Sequence, residues 1–342
     1  MAPEGKGGTG QRRLVALASL IVVIIAAVGA IIDAAQTTPK PRSARSLTSL
    51  LADDPFLRLG LKNPTGQAPG ASGIGMPTSE PPGYSAVFAD DFPASEDVKP
   101  GQFSGCVWRG SIPKSVCTGL PDGARSRWWA YPGGARDTSG HGTYEPSQVL
   151  TIAHGILSFH LHTSSVTGRP VVAAVEPKVR AADNPQGSIR FGAYAVRFRV
   201  QNIPGYELEF QLFPNGNRWP KDGSIALPAG YTGSRIEALL HWYGARKVFQ
   251  QDIFSRANNG QWHTAVVQWG PSRVVFLLDG NVMAIVRTHV PERALHLVLQ
   301  TQTGVLGPAP APTAAGTIDV AWLTEYKRDL VAPVAVPPTP AP

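Results

Sequence analysis

The chain has 342 residues, of which 36 are glycine, 32 are proline and only 16% are charged. That composition excludes a coiled coil or a long helical bundle and calls for many turns with at least one unpacked segment. The formal charge of +7 suits attraction to an acidic surface such as phospholipid headgroups or anionic wall polymer. Its Lys and Arg residues are scattered rather than clustered, which speaks against a nucleic-acid partner.

Residues 1–13 form a short polar tail, read as cytoplasmic. Leu14 to Ile32 is an uncharged apolar run of 19 residues. As a helix it spans ~28 Å, close to the ~30 Å hydrocarbon core of a bilayer. A secretory h-region is shorter, so the run is read as a single N-terminal transmembrane signal anchor; a signal peptide cleaved near Ala27–Ala35 is the alternative. Arg12 and Arg13 abut the run and favour an extracytoplasmic C-terminal domain at the cell membrane. Residues 33–83 read as a flexible linker, with a brief amphipathic helix expected within Ser46–Leu61. Residues 331–342, with five prolines, should be extended and unpacked.

From Tyr84 to about Leu330, short alternating runs are separated by Gly, Pro, Asn and Asp. Tyr194, Val196, Phe198 and Val200 alternate with Ala195, Arg197 and Arg199. Tyr206, Leu208, Phe210 and Leu212 alternate with Glu207, Glu209 and Gln211. Asp279-Gly280-Asn281 joins two apolar runs as a hairpin. With no sustained period of 3.6, the region is read as an all-β sandwich or jelly roll. Cys106 and Cys117 enclose a short loop; in an oxidising compartment a disulfide is expected, and two free thiols are the alternative. No metal or cofactor is called for. His160 and His162 share one strand face with Ser158, which a solvated face explains.

Trp219-Pro220-Lys221-Asp222-Gly223-Ser224-Ile225-Ala226-Leu227-Pro228-Ala229-Gly230 resembles the active-site strand of glycoside hydrolase family 16, the laminarinase and β-glucanase group, whose pattern is roughly W-P-x-x-G-E-I-D-x-x-E. Trp219, Pro220, Gly223, Ile225, Pro228 and Gly230 match. Phe88-Ala89-Asp90-Asp91-Phe92, Gly192–Arg199, Gln261–Gly280, Gln300–Gly304 and Ile318–Trp322 are similar to further strands of the family in order and spacing. The resemblance implies a concanavalin A-like β-jelly roll over 84–330 with a sugar cleft. It also implies that the nucleophile, assisting and acid/base positions hold Ser224, Ala226 and Ala229. No base is evident beside Ser224, and the alanines cannot shuttle protons.

The expected function is therefore a membrane-anchored, carbohydrate-binding pseudoenzyme for β-glucan or cell-wall glycan. Sugar platforms are expected among Trp128, Trp129, Tyr131, Trp219, Tyr231, His241, Trp242 and Tyr243. Trp262, Trp269 and Trp322 are expected in the core. Two alternatives stand: a hydrolase or transglycosylase with relocated acids drawn from Asp222, Glu207 and Glu209, and a protein-binding envelope scaffold. The family's structural calcium region matches at Asp319 alone, too little for a site.

Overall fold

Alternation with a period of two is the rule from which the architecture follows. A computed structural model describes residues 54–64, 70–108, 114–179, 183 and 187–329. The tail 1–13, the apolar run 14–32 and the segment 331–342 lie outside the described residues. Among the described residues, no helix is long and apolar enough to cross a membrane.

The early strands are β1 (Tyr84–Asp90), β2 (Cys106–Val107), β3 (Val116–Cys117), β4 (Trp128–Ala130), β5 (Thr143–Tyr144) and β6 (Leu150–Ala153). Next come β7 (Ile156–Thr163), β8 (Pro170–Val172), β9 (Ala174–Pro177), β10 (Gly192–Val200), β11 (Tyr206–Pro214), β12 (Ser224–Tyr231) and β13 (Arg235–Gly244). The last are β14 (Lys247–Asn258), β15 (His263–Gly270), β16 (Arg273–Leu278), β17 (Asn281–Val286), β18 (Leu295–Thr303) and β19 (Gly316–Arg328). Two short helices, Asp122–Arg127 and Pro146–Val149, interrupt the series.

A seven-stranded sheet runs β14-β13-β12-β11-β18-β9-β4, and a ten-stranded sheet runs β17-β16-β15-β10-β19-β7-β8-β5 with β1 and β6 paired at its side. Between them lies the main core, which takes Tyr194, Val196, Phe198 and Val200 from β10 and Tyr206, Leu208, Phe210 and Leu212 from β11. These are the apolar members of the alternating runs, so the polar members are forced onto the outer faces. Tyr194 ties the sheets together: its hydroxyl donates to the carbonyls of Phe210 and Leu227, at 2.8 and 2.7 Å. The Asp279-Gly280 turn has both residues in the left-handed region, at φ 50° and 72°, as a tight hairpin between β16 and β17 requires. The hairpin of β13 and β14 carried no such signal in the sequence; Ala245 and Arg246 adopt positive φ there without a glycine.

Cys106 and Cys117 form a disulfide across the β2–β3 ladder. Of the three tryptophans expected in the core, Trp269 is there, with its indole N–H on the Pro291 carbonyl at 2.7 Å. Trp322 is buried as expected, in a second apolar core cluster on the other side of its sheet, and Trp262 is half-buried beneath the Arg199 guanidinium, 4.8 Å from its ring. Of the three, Trp262 departs from expectation: it stands one residue before β15 begins and stays partly exposed.

The linker expected over 33–83 is not a free tether in its described part. Residues 55–58 form one turn of 3₁₀ helix, capped by the Asp54 carboxylate at 3.0 Å from the Phe56 N–H. Phe56, Leu57 and Leu59 bury against Ala195, Val275, Trp322 and Tyr326 on the outer face of the ten-stranded sheet. Gly60 lies on the Trp322 ring, where a Cβ would come within 2.4 Å of it, and Thr264 donates to its carbonyl at 2.9 Å. The strap docks because this sheet face is itself apolar and must be covered.

One carboxyl is out of place in the core. Glu325 alternates with Leu323 on the inner face of β19 between Phe88 and Tyr194, is fully buried, and neither oxygen finds a hydrogen-bond partner. Burial pushes its pKa from 4.5 up to about 8.

Truncating Phe56 to Ala should destabilise by ~3 kcal/mol and expose the strap, read as accelerated proteolysis within residues 54–64. The unfolded chain ionises Glu325 near pH 4.5 and the folded one near 8, so folding stability contributed by this group falls as pH rises through that window. Glu325→Gln should remove a loss on the order of a few kcal/mol, checked by comparing urea unfolding of both proteins at about pH 5 and about pH 8.

Candidate functional site

The outer face of the seven-stranded sheet gathers the polar members of β11, β12 and β13. From β11 come Glu207, Glu209, Gln211 and Phe213, opposite to the core-facing set. The register sets Glu209 beside Ala229 and Gln211 beside Ala226 on one side, and Glu237 beside Ala229 and Leu239 beside Ala226 on the other. A bulge in β12 between Ala226 and Ala229 shifts the register against both neighbours. Strict alternation would turn positions three apart to opposite faces; the bulge brings both alanines into one small apolar patch with Leu239. The floor where the resemblance implies an assisting acid and an acid/base is thus methyl groups.

Ser224 is fully buried, and a base does lie beside it, contrary to expectation: its hydroxyl is 3.0 Å from His241 Nδ1. The other ring nitrogen, Nε2, is 2.6 Å from Gln250 Oε1, and the Gln250 amide donates to Asp252. Burial lowers the His241 pKa, so the neutral ring accepts from Ser224 at Nδ1 and donates to Gln250 at Nε2. The strand pairing that puts residues 224 and 241 side by side cannot be read from a sequence separation of 17. With no exposed surface, Ser224 positions His241 rather than meeting a ligand.

Partly buried carboxyls lie on the strands to either side. Glu209 Oε1 stands 4.0 Å from His241 Nδ1, and burial followed by the Glu207 charge pushes the Glu209 carboxyl up to about 7. Glu237, which sequence reasoning missed, is pushed to about 7 by burial and by Asp252 and Glu207. These two flank Ala229 from opposite sides, two strand spacings or about 10 Å apart at the backbone. Glu207 is a staple: it accepts from the Gln302 amide at 3.1 Å and the Val305 N–H at 3.2 Å. Asp222 precedes β12 in a turn, where Arg218 grips it with two bonds of 2.8 Å, so it does not share the Ser224 face.

The aromatic candidates divide. Trp219 is half-buried on this face, stacked on Phe213 at 5.2 Å and edge-on to His241 at 5.4 Å. Tyr243 is 41% exposed further along β13. Tyr231 is bound through its hydroxyl to the Leu306 carbonyl, with its ring against Gly304. Trp242 alternates with His241, faces the other way and is stacked by Phe249 and His289, at 5.5 and 4.5 Å. Trp128 is wholly in the core, its indole N–H on Asp90 at 2.7 Å. Neither Trp242 nor Trp128 can serve as a platform, because alternation turns them inward.

Trp129, on edge strand β4, is 1% exposed and so offers no platform either, and half-buried Tyr131 just beyond the strand is tilted against it with ring centres 5.4 Å apart. Trp129 is roofed by Trp108, 4.8 Å away, and donates to the Val107 carbonyl at 3.1 Å. Trp108, which no sequence pattern singled out, is itself 51% exposed and sits two residues after Cys106, so the disulfide anchors it. Deeper in, Glu176 is 1% exposed with Oε1 3.4 Å from His296 Nε2, and burial plus the Glu176 charge hold the Tyr131 hydroxyl well above its ordinary value. His160 and His162 are engaged at 2.9 Å with Thr151 and 2.8 Å with a backbone carbonyl, and Asp319 with Arg199 at 2.7 Å. Among the described residues no group of three or more His, Cys, Asp or Glu side chains could hold a metal.

No protein-family model and no curated protein matches the sequence. Solved structures do. LamAcat from Zobellia galactanivorans aligns over 71% of this chain and 98% of its own, with TM-score 0.52 and 16% identity. The laminarinase from Rhodothermus marinus aligns over 71% and 97%, also at 0.52 and 16%. SCLam, a non-specific endo-β-1,3(4)-glucanase of glycoside hydrolase family 16, aligns over 74% and 94% at 0.51 and 14%. The two-sheet sandwich described above is thus the concanavalin A-like fold of the family 16 laminarinases and glucanases.

Proposed function

We propose that this chain is a membrane-anchored, extracytoplasmic carbohydrate-binding protein that takes a β-linked polysaccharide on the outer face of its seven-stranded sheet without hydrolysing it. The reading rests on Ser224, Ala226 and Ala229: retaining hydrolysis needs two carboxyl groups ~5–5.5 Å apart, and the strand that would carry them holds a buried hydroxyl and two methyl groups. Recognition needs less. Exposed Trp108 at one edge and Trp219 with Tyr243 at the other offer ring faces, and the partly exposed Glu209 between them offers a hydroxyl partner. LamA of Z. galactanivorans has been solved with laminaritriose and laminaritetraose, which makes β-1,3-glucan oligosaccharides the first ligands to try. The apolar run 14–32 supplies the anchor.

A second reading has an observation of its own. Glu209 and Glu237, both poised near 7 and astride Ala229, are placed as a general acid and a general base would be at the wider spacing of an inverting hydrolase. Release of reducing ends from β-1,3-glucan separates the two. The binding-protein reading expects none from the wild type. Release that declines above about pH 7, as a protonated Glu209 is lost, and that disappears in Glu209→Gln would establish the hydrolase instead.

Trp108→Ala should weaken laminari-oligosaccharide binding by ~1 kcal/mol, about fivefold, with the melting temperature unchanged because the ring is half in solvent. Isothermal titration of both proteins checks it; unchanged affinity would remove that edge of the sheet from the site.

A further inference from the structure

On the opposite side of the molecule, the outer face of the ten-stranded sheet ends in a cavity of about 190 Å³ between the β15–β16 turn and the paired ends of β1 and β19. Its lining includes Tyr84, Gln268, Ser272, Arg273 and Arg328, and no carboxylate. Gly270 makes the room: a Cβ there would stand 3.3 Å from Arg328 Nη1. Among the described residues, neither guanidinium makes an ion pair or a side-chain hydrogen bond. The two nearby acids are taken by other donors. Asp54 accepts from the Gln268 amide at 2.6 Å and the Phe56 N–H at 3.0 Å, and Asp329 accepts from the Ser85 hydroxyl at 2.6 Å.

Two unpaired guanidiniums around a polar hollow, with hydroxyl and amide groups between them, match a tetrahedral oxyanion. Arginine forks bond phosphate oxygens in pairs, and such charge-assisted bonds are about twice as strong as neutral ones. The place of the cavity also matters. Asp54, at its rim, opens the docked strap and follows Ile32 by residues 33–53, a stretch of 21. That stretch reaches at most about 75 Å, so an anchored domain stays within range of the bilayer surface on this side.

We propose that this cavity binds a phosphate oxyanion between Arg273 and Arg328, and that a phospholipid headgroup supplies it. The site lies on the sheet opposite to the glycan-binding face and goes beyond that function: it would seat the domain against the membrane and leave the other face free for polysaccharide.

The test uses the full chain in a neutral detergent, titrated calorimetrically with inorganic phosphate and, separately, with dihexanoyl phosphatidylglycerol. Saturable binding of both is expected. The double variant Arg273→Gln/Arg328→Gln should bind each about tenfold more weakly or worse, with unchanged melting and unchanged response to laminari-oligosaccharides. Binding of inorganic phosphate alone would keep the oxyanion site and overturn the lipid as its source. No binding of either, or equal binding by the double variant, would overturn the proposal.

Discussion

The bulge in β12 is the constraint on which the site depends. Between Ala226 and Ala229 it breaks the period of two, so that positions 224, 226 and 229 all look outward while Ile225 and Leu227 still look into the core. A fold that maintains such a kink in a central strand is built to converge three side chains on one spot. Here the side chains that converge are a hydroxyl and two methyl groups. The ladder hydrogen bonds do not require an acid at those positions, so the backbone geometry does not by itself fix the chemistry.

Burial acts on the carboxyls of the neighbouring strands. Glu207, Glu209 and Glu237 sit among one another and among apolar or amide side chains, and each has a raised pKa. Desolvation leads in every case, followed by the like charges beside it where hydrogen bonds do not intervene. His241 is held neutral by the same burial. The outer face therefore carries protonatable carboxyls near neutrality, which suits hydrogen bonding to sugar hydroxyls. Glu325 shows the same physics with no ligand face at all: a carboxyl enclosed in the core, held neutral because no partner meets its charge.

The two sheets use their outer faces differently. On the seven-stranded sheet the outer face is polar, with Gln211, Gln300 and Gln302 largely buried and aromatic rings at its edges. On the ten-stranded sheet it is apolar and roofed by residues 54–64, with the arginine-lined hollow at one end. That division leaves one outer face polar and the other covered by a docked segment.

The alternating runs of β10 and β11, the Asp279-Gly280 hairpin and the motif around Trp219 were enough to expect the sandwich, because period two and turn residues are local properties of the chain. The same locality made the serine and two alanines at positions 224, 226 and 229 legible. What only the folded chain decided is proximity across strands: His241 beside Ser224, Glu237 and Glu209 on either side of Ala229, Trp108 over Trp129, and the strap over Trp322. Facing, too, was decided there, turning Trp242 and Trp128 inward where the sequence offered them as platforms. Register couples residues far apart in the chain through backbone hydrogen bonds that carry no side-chain signature, and a bulge of one strand re-aims every residue beyond it.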